Sequence, residues 1–158
     1  MASTLSSATM TIRIVESIKL NGTEQGAVNI KTISSINEIS KRIVTITTTE
    51  ATVLTFAAAI AGGTHITQNV KYMRFTNKDD TYFITLTFRN QDNDEVAIKL
   101  DAGQSFIWNA DNSDGLVDVF NATQDADAAS DTALGSLTNI QADASASTCD
   151  LEMFIAST

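Results

Sequence analysis

Few side chains in this 158-residue chain are equipped for acid, base, nucleophilic or metal chemistry: one His, one Cys and 19 Asp+Glu. Four acidic groupings have the oxygen density that a hard cation such as calcium requires. They are Asn77-Lys78-Asp79-Asp80, Asp92-Asn93-Asp94-Glu95, Asp111-Asn112-Ser113-Asp114-Gly115, and Asp125 with Asp127 and Asp131. None has the twelve-residue spacing of an EF-hand, so turn chemistry and solvation of an acidic surface are the leading expectation. Asp125, Asp127 and Asp131 are the best calcium candidates among them.

His65 and Cys149 would need each other, or a serine and a carboxylate, to form a hydrolytic site. No GxSxG elbow places a nucleophile on a strained turn, and nothing around Cys149 resembles a catalytic signature. His65 is therefore expected as a turn histidine after Gly62-Gly63, and Cys149 as a small apolar residue opening the last strand. A single cysteine excludes an intrachain disulfide framework, and the lone histidine excludes HExxH and paired-histidine metal sites. Any two of the acids could meet as a glycosidase pair, a possibility the sequence leaves open. Trp108, Tyr72 and Tyr82 could form a sugar-stacking platform, but aromatics on alternating strand positions belong more often to the core. Asn21-Gly22-Thr23 and Asn121-Ala122-Thr123 match the glycosylation sequon, and both read as chance matches in turns. The expectation is a protein without catalytic residues and without a required cofactor.

Ten Lys+Arg against those 19 acids give a net charge of −9. Phosphate backbones are bound by cations that displace counterions, so nucleic acid and anionic membrane are poor partners for such a chain. No apolar run approaches the roughly 20 residues of a membrane span, and residues 1–9 lack the charged and apolar regions of a signal peptide. The length predicts one domain able to bury a core without cross-links.

The elements that must position these residues are strands, because apolar residues recur with a period of two almost throughout. Met10, Ile12, Ile14, Ile18 and Leu20 share one parity, predicting a first long strand with a bulge near Val15. Asn21-Gly22 supplies the two positive φ values of a type I′ turn, after which residues 27–33 return. Residues 23–26 lengthen that connection beyond the two-residue ideal. The β-branched run at 42–49 predicts strands split near Glu50-Ala51, with a possible helical turn at 56–61 ended by Gly62-Gly63. Strands at 70–76 and 82–89, joined by the Asn77 to Thr81 turn, read as a hairpin. Val96, Ile98 and Leu100 form the inner face of the next strand, and Phe106 and Trp108 that of the one after. Residues 116–120 read as a short strand, 121–136 as a polar excursion, and 137–140 and 150–156 as closing strands. This spacing points to an all-β sandwich or barrel of about 8–10 strands.

Several strings resemble a known family. They are Ser34-Ser35-Ile36-Asn37-Glu38-Ile39-Ser40-Lys41-Arg42-Ile43-Val44, Val70-Lys71-Tyr72-Met73-Arg74-Phe75-Thr76-Asn77, Asp79-Asp80-Thr81, Asp101-Ala102-Gly103-Gln104-Ser105-Phe106, and Cys149-Asp150-Leu151-Glu152-Met153-Phe154-Ile155-Ala156-Ser157. These look like small virion proteins of tailed phages from aquatic bacteria. The resemblance spans most of the chain but carries no catalytic signature and transfers no functional residues. It implies an antiparallel, jelly-roll-like β-sandwich assembled as a homotrimer, serving as capsid cement, head decoration or tail component.

The resulting expectation is a flexible N-terminal arm at 1–9 and a single β-sandwich domain at 10–158. The protein would bind the major capsid protein on the outer capsid surface of a virion, since a charge of −9 is repelled by packaged DNA. Ser3, Thr4 and Leu5 of the arm are the candidate partner-binding residues. The alternative is a tail or head-fibre component that binds host-surface glycans.

Overall fold

The structure, a computed structural model, describes residues 6–62, 64–109, 115–116 and 136–158. Its elements are strands β1 (Ala8–Val15), β2 (Lys19–Leu20), β3 (Thr23–Glu24), β4 (Val28–Ile36), β5 (Glu38–Ile46), β6 (Ala51–Ala57), β7 (His65–Ile66), β8 (Val70–Asn77), β9 (Ile84–Asn90), β10 (Glu95–Leu100), β11 (Ser105–Asn109), β12 (Leu137–Ala144) and β13 (Cys149–Ser157). Single 3-10 turns at Ile60–Gly62 and Thr67–Asn69 are the sole helical elements among the described residues. The chain is an all-β, antiparallel sandwich.

Two sheets form the sandwich. One runs β10-β9-β12-β6-β7 and the other β11-β8-β13-β5. All pairs are antiparallel except the two-residue β7, which lies parallel to β6. Alternation along the strands sets the core, as the sequence pattern requires. Leu54, Phe56, Ile84, Leu86, Phe88, Ile140 and Ala142 point from the first sheet; Ile46, Met73, Phe75, Leu151, Met153 and Ile155 point from the second. Phe88 meets Phe75 at 6.3 Å and Phe106 at 5.3 Å, both edge-to-face, so an aromatic ladder ties the layers together. Cys149 opens the last strand as a buried thiol, in the place expected of it.

The hairpin expected between 70–76 and 82–89 does not form. Both edges of β8 are occupied, by β11 and β13, and β9 pairs instead with β10 and β12 in the other sheet. The turn between them is a crossover. Asp79 accepts the backbone N–H groups of Thr81 at 2.8 Å and Tyr82 at 2.6 Å. Asn77, fully buried, donates to the carbonyls of Tyr82 at 2.8 Å and Leu100 at 3.1 Å, stitching the crossover to the opposite sheet. The turn chemistry read from the sequence is present, but it joins layers rather than neighbours.

Residues 8–36 fold outside both sheets. β1 pairs with β4, and β2 with β3 across Asn21 (φ 49°) and Gly22 (φ 80°). The turn is the two-residue ideal, because Thr23 already pairs with Leu20 rather than belonging to a longer loop. The first strand breaks after Val15, where Glu24 Oε1 accepts the N–H groups of Ile18 and Gly26. The result is one long hairpin, an arm whose base packs on the outer face of the second sheet. Ile12, Ile33 and Ile36 meet Tyr72 and Ala156 there in a small core separate from the main one. Ala8 and Thr9 belong to β1 rather than to a flexible leader.

Candidate functional site

Among the described residues, no group of three or more His, Cys, Asp or Glu side chains converges as a metal site would require. Asp79 is committed to its own turn, whose N–H groups hold its carboxyl below the usual carboxylate range. Asn90 Oδ1 accepts from the N–H groups of Asp92 at 2.9 Å and Asp94 at 2.8 Å, and Glu95 pairs with Arg89. These two acidic groupings are turn chemistry. Asp125, Asp127 and Asp131 lie outside the described residues, as do Asp111, Asn112, Ser113 and Asp114, and as do Ser3, Thr4 and Leu5. The predicted short strand at 116–120 is described only at Leu116, a fully buried residue in a turn.

His65 is not a turn residue. It is buried in β7 opposite Phe56, and among the described residues neither ring nitrogen has a hydrogen-bond partner. Burial lowers its pKa from 6.5, with the charge of Glu38 opposing in part. Burial pushes the Cys149 thiol up, followed by the charges of Asp79 and Asp150. A protonated thiol and an unpartnered imidazole make no nucleophile–base pair. The aromatics divide similarly: Tyr72 is buried under the arm, Trp108 packs against the main core, and Tyr82 alone of the three is exposed.

What the fold does present is apolar surface on the arm. Ile14, Val15, Ile18, Leu20, Val28 and Ile30 are between 43% and 64% exposed. The register explains it. Met10 and Ile12 share a face with Ile33, turned to the body, whereas Val15 opposite Val28, and Ile30 opposite Arg13, occupy the reverse face. Ile18 and Leu20 flank the tip. Among the described residues, β1 and β4 pair with each other alone, so each also has a free outer edge. A two-stranded ribbon with open edges and apolar residues on both faces is marginal in water and a template for association.

A second apolar stripe lies on the body. β5 is an edge strand, and its outer face carries Ile39 and Ile43, 60% and 59% exposed, opposite Ala156 and Glu152 of β13. Beside them runs an ion-pair network. Glu152 accepts from Arg74 at 2.6 Å and faces Lys41 at 3.5 Å, and Arg74 donates to Thr76 at 2.7 Å. The Arg74 hydrogen bond holds the Glu152 carboxyl below its ordinary value. Lys41 lies between the two isoleucines on this face.

No protein-family model, curated protein or solved structure matches this chain. No helix among the described residues is long and apolar enough to cross a membrane.

Proposed function

We propose that the protein is a non-enzymatic structural component of a phage particle, a cement or decoration protein on the outer capsid surface. It would act as a homotrimer bridging subunits of the major capsid protein. Its work would be burial of surface across several subunits, which stabilises a shell by mass action rather than by chemistry.

The observation that carries this reading is the arm. A free monomer would leave its six large apolar residues wet, whereas an assembly protein uses such surface as contact area. Connectivity supports it. With β7 set aside and β5 to β13 numbered one to eight, the sheets read 1-8-3-6 and 2-7-4-5, the strand order of a jelly roll. That architecture is frequent in viral shells but hosts other functions too, so it raises the reading only by analogy. The strings that resemble phage virion proteins and the charge of −9, unfavourable beside packaged DNA, point the same way.

Imaging virions that carry a labelled copy tests the station, with density expected on the shell exterior. Particles assembled without the protein should lose infectivity at lower temperature or pressure than complete ones. Unchanged resistance would refute the cement role.

A further inference from the structure

We infer that the open seam of the sandwich between β5 and β6 binds a small amphiphilic carboxylate, an anionic head on a short aliphatic body, with Arg42 holding the head. The inference goes beyond the virion reading and does not depend on it.

The fold leaves this seam open. β5 is the edge of its sheet, and β7, which closes the edge of the other, pairs only with Phe56 and Ala57 of β6. Among the described residues, no strand lies beyond Ala51, Thr52 and Val53, and a cleft of about 320 Å³ separates them from β5. Small-molecule sites span roughly 300–1,000 Å³, so the cleft suits a ligand at the small end of that range. Ile46 is buried at its floor, and Val44 and Val53 are half-buried beside it against the main core. The interior surface is thus aliphatic.

Local charge selects the occupant. The register sets Arg42 opposite Met153, a core residue, so its side chain leaves the inner face of the edge strand and lines the cleft. Arg42 is the sole charge in that lining. The neighbouring carboxylates are engaged elsewhere. Glu152 pairs with Arg74 and Lys41, and Asp150 accepts the Thr45 hydroxyl at 3.0 Å, both on the outer face of the same sheet. The charge of Glu50 falls on Asp143, which points outward between the core residues Ala142 and Ala144. Among the described residues, no ion pair engages Arg42. A guanidinium above an aliphatic floor can donate two parallel hydrogen bonds to a carboxylate, while Val44, Ile46 and Val53 take the body of the ligand out of water.

Titration of the full chain with octanoate, followed by calorimetry and by NMR amide shifts, tests the inference. Saturable one-to-one binding is expected, with the shifts gathered at residues 42–47 and 51–53. Octanol keeps the tail without the charge and acetate the charge without the tail, and each should bind roughly tenfold more weakly or worse. Arg42→Gln should weaken octanoate by about the same factor and leave octanol unchanged; Arg42→Lys, a point charge without the fork, should fall between. Octanol binding as tightly as octanoate, shifts on Val15, Val28 and Ile30 in place of the cleft, or no saturation at millimolar octanoate would each overturn the proposal. So would an Arg42→Gln variant that binds octanoate like wild type, and raised self-association of that variant in sedimentation would then give Arg42 the role of guarding the β5 edge.

Discussion

Replacing Ile33 with Ala should loosen the arm while leaving the sandwich folded. Ile33 is 2% exposed and packs with Ile12, Ile36, Tyr72 and Ala156 in a cluster distinct from the main core. The substitution removes three carbons, worth about 2.4 kcal/mol at roughly 0.8 per buried methylene, and the cavity left behind adds to this. Tyr72 and Phe154, in edge-to-face contact at 5.9 Å, are ring-shaped neighbours that collapse poorly into such a hole. At about 1.4 kcal/mol per decade, 2.4 kcal/mol raises the arm's opening constant roughly 50-fold. Hydrogen exchange read by mass spectrometry should therefore lose protection of that order across 8–36. Peptides from β8, β9, β12 and β13 should keep theirs. Leu86→Ala, in the main core and fully buried, is the contrasting case and should lower protection everywhere by about 2–5 kcal/mol. Equal loss in arm and body for Ile33→Ala would refute the separation of the two cores.

Three further outcomes follow from the same geometry. His65 is buried, unpartnered and lowered in pKa, so the unfolded chain binds its proton first; stability should fall as pH drops below about 6.5 and stop falling once the native imidazole protonates. His65→Leu should flatten that limb in denaturation midpoints measured from pH 7 downward, and an unchanged slope would assign the effect elsewhere. Asn77→Ala strips the crossover of two side-chain donations, one of them buried at the Leu100 carbonyl, and of the acceptance of the Asp79 N–H at 3.0 Å. It should cost about 2–4 kcal/mol, seen as a lower urea midpoint with an unchanged slope. Glu152, held down in pKa by Arg74, contributes stability that is present above its ordinary 4.5 and is lost as pH falls through its native value. Glu152→Gln should remove that portion of the acid-denaturation profile, and a profile identical to wild type would show the ion pair to be inert.

Period-two alternation made the strands legible, because it reports which side of a pleat each residue occupies. It reports nothing about partners. β13 pairs with β5 across more than a hundred residues, Asp150 opposite Thr45, and no local signal carries that pairing. The crossover after β8 misled for a related reason: an Asx-type turn at Asp79 has the same chemistry whether it closes a hairpin or sends the chain to the other sheet. His65 was misplaced because glycines upstream imply a turn, whereas the chain returns at once alongside β6, and a parallel pair this short leaves no pattern to read.

The arm shows where the pattern held more information than the one-face strand model extracts. In β4, Val28 and Ile30 have even numbers and Ile33 an odd one, so the apolar parity switches partway along a single strand. For a strand in a sandwich the switch would put isoleucines in water. For a two-stranded ribbon it has a direct meaning: Ile33 faces its own body and Val28 and Ile30 face outward. A bulge between Ala8 and Met10 absorbs the offset at the base. Charge and proline both oppose association at such an edge; this ribbon carries charge at Arg13 and Lys31 but no proline. The ribbon leaves Val15, Val28 and Ile30 exposed on the face turned away from its body. Residues 8–36 therefore join Ser3, Thr4 and Leu5 as candidates for an assembly contact, and Val28→Asp with Ile30→Asp should weaken any association read by sedimentation equilibrium if the ribbon is that contact.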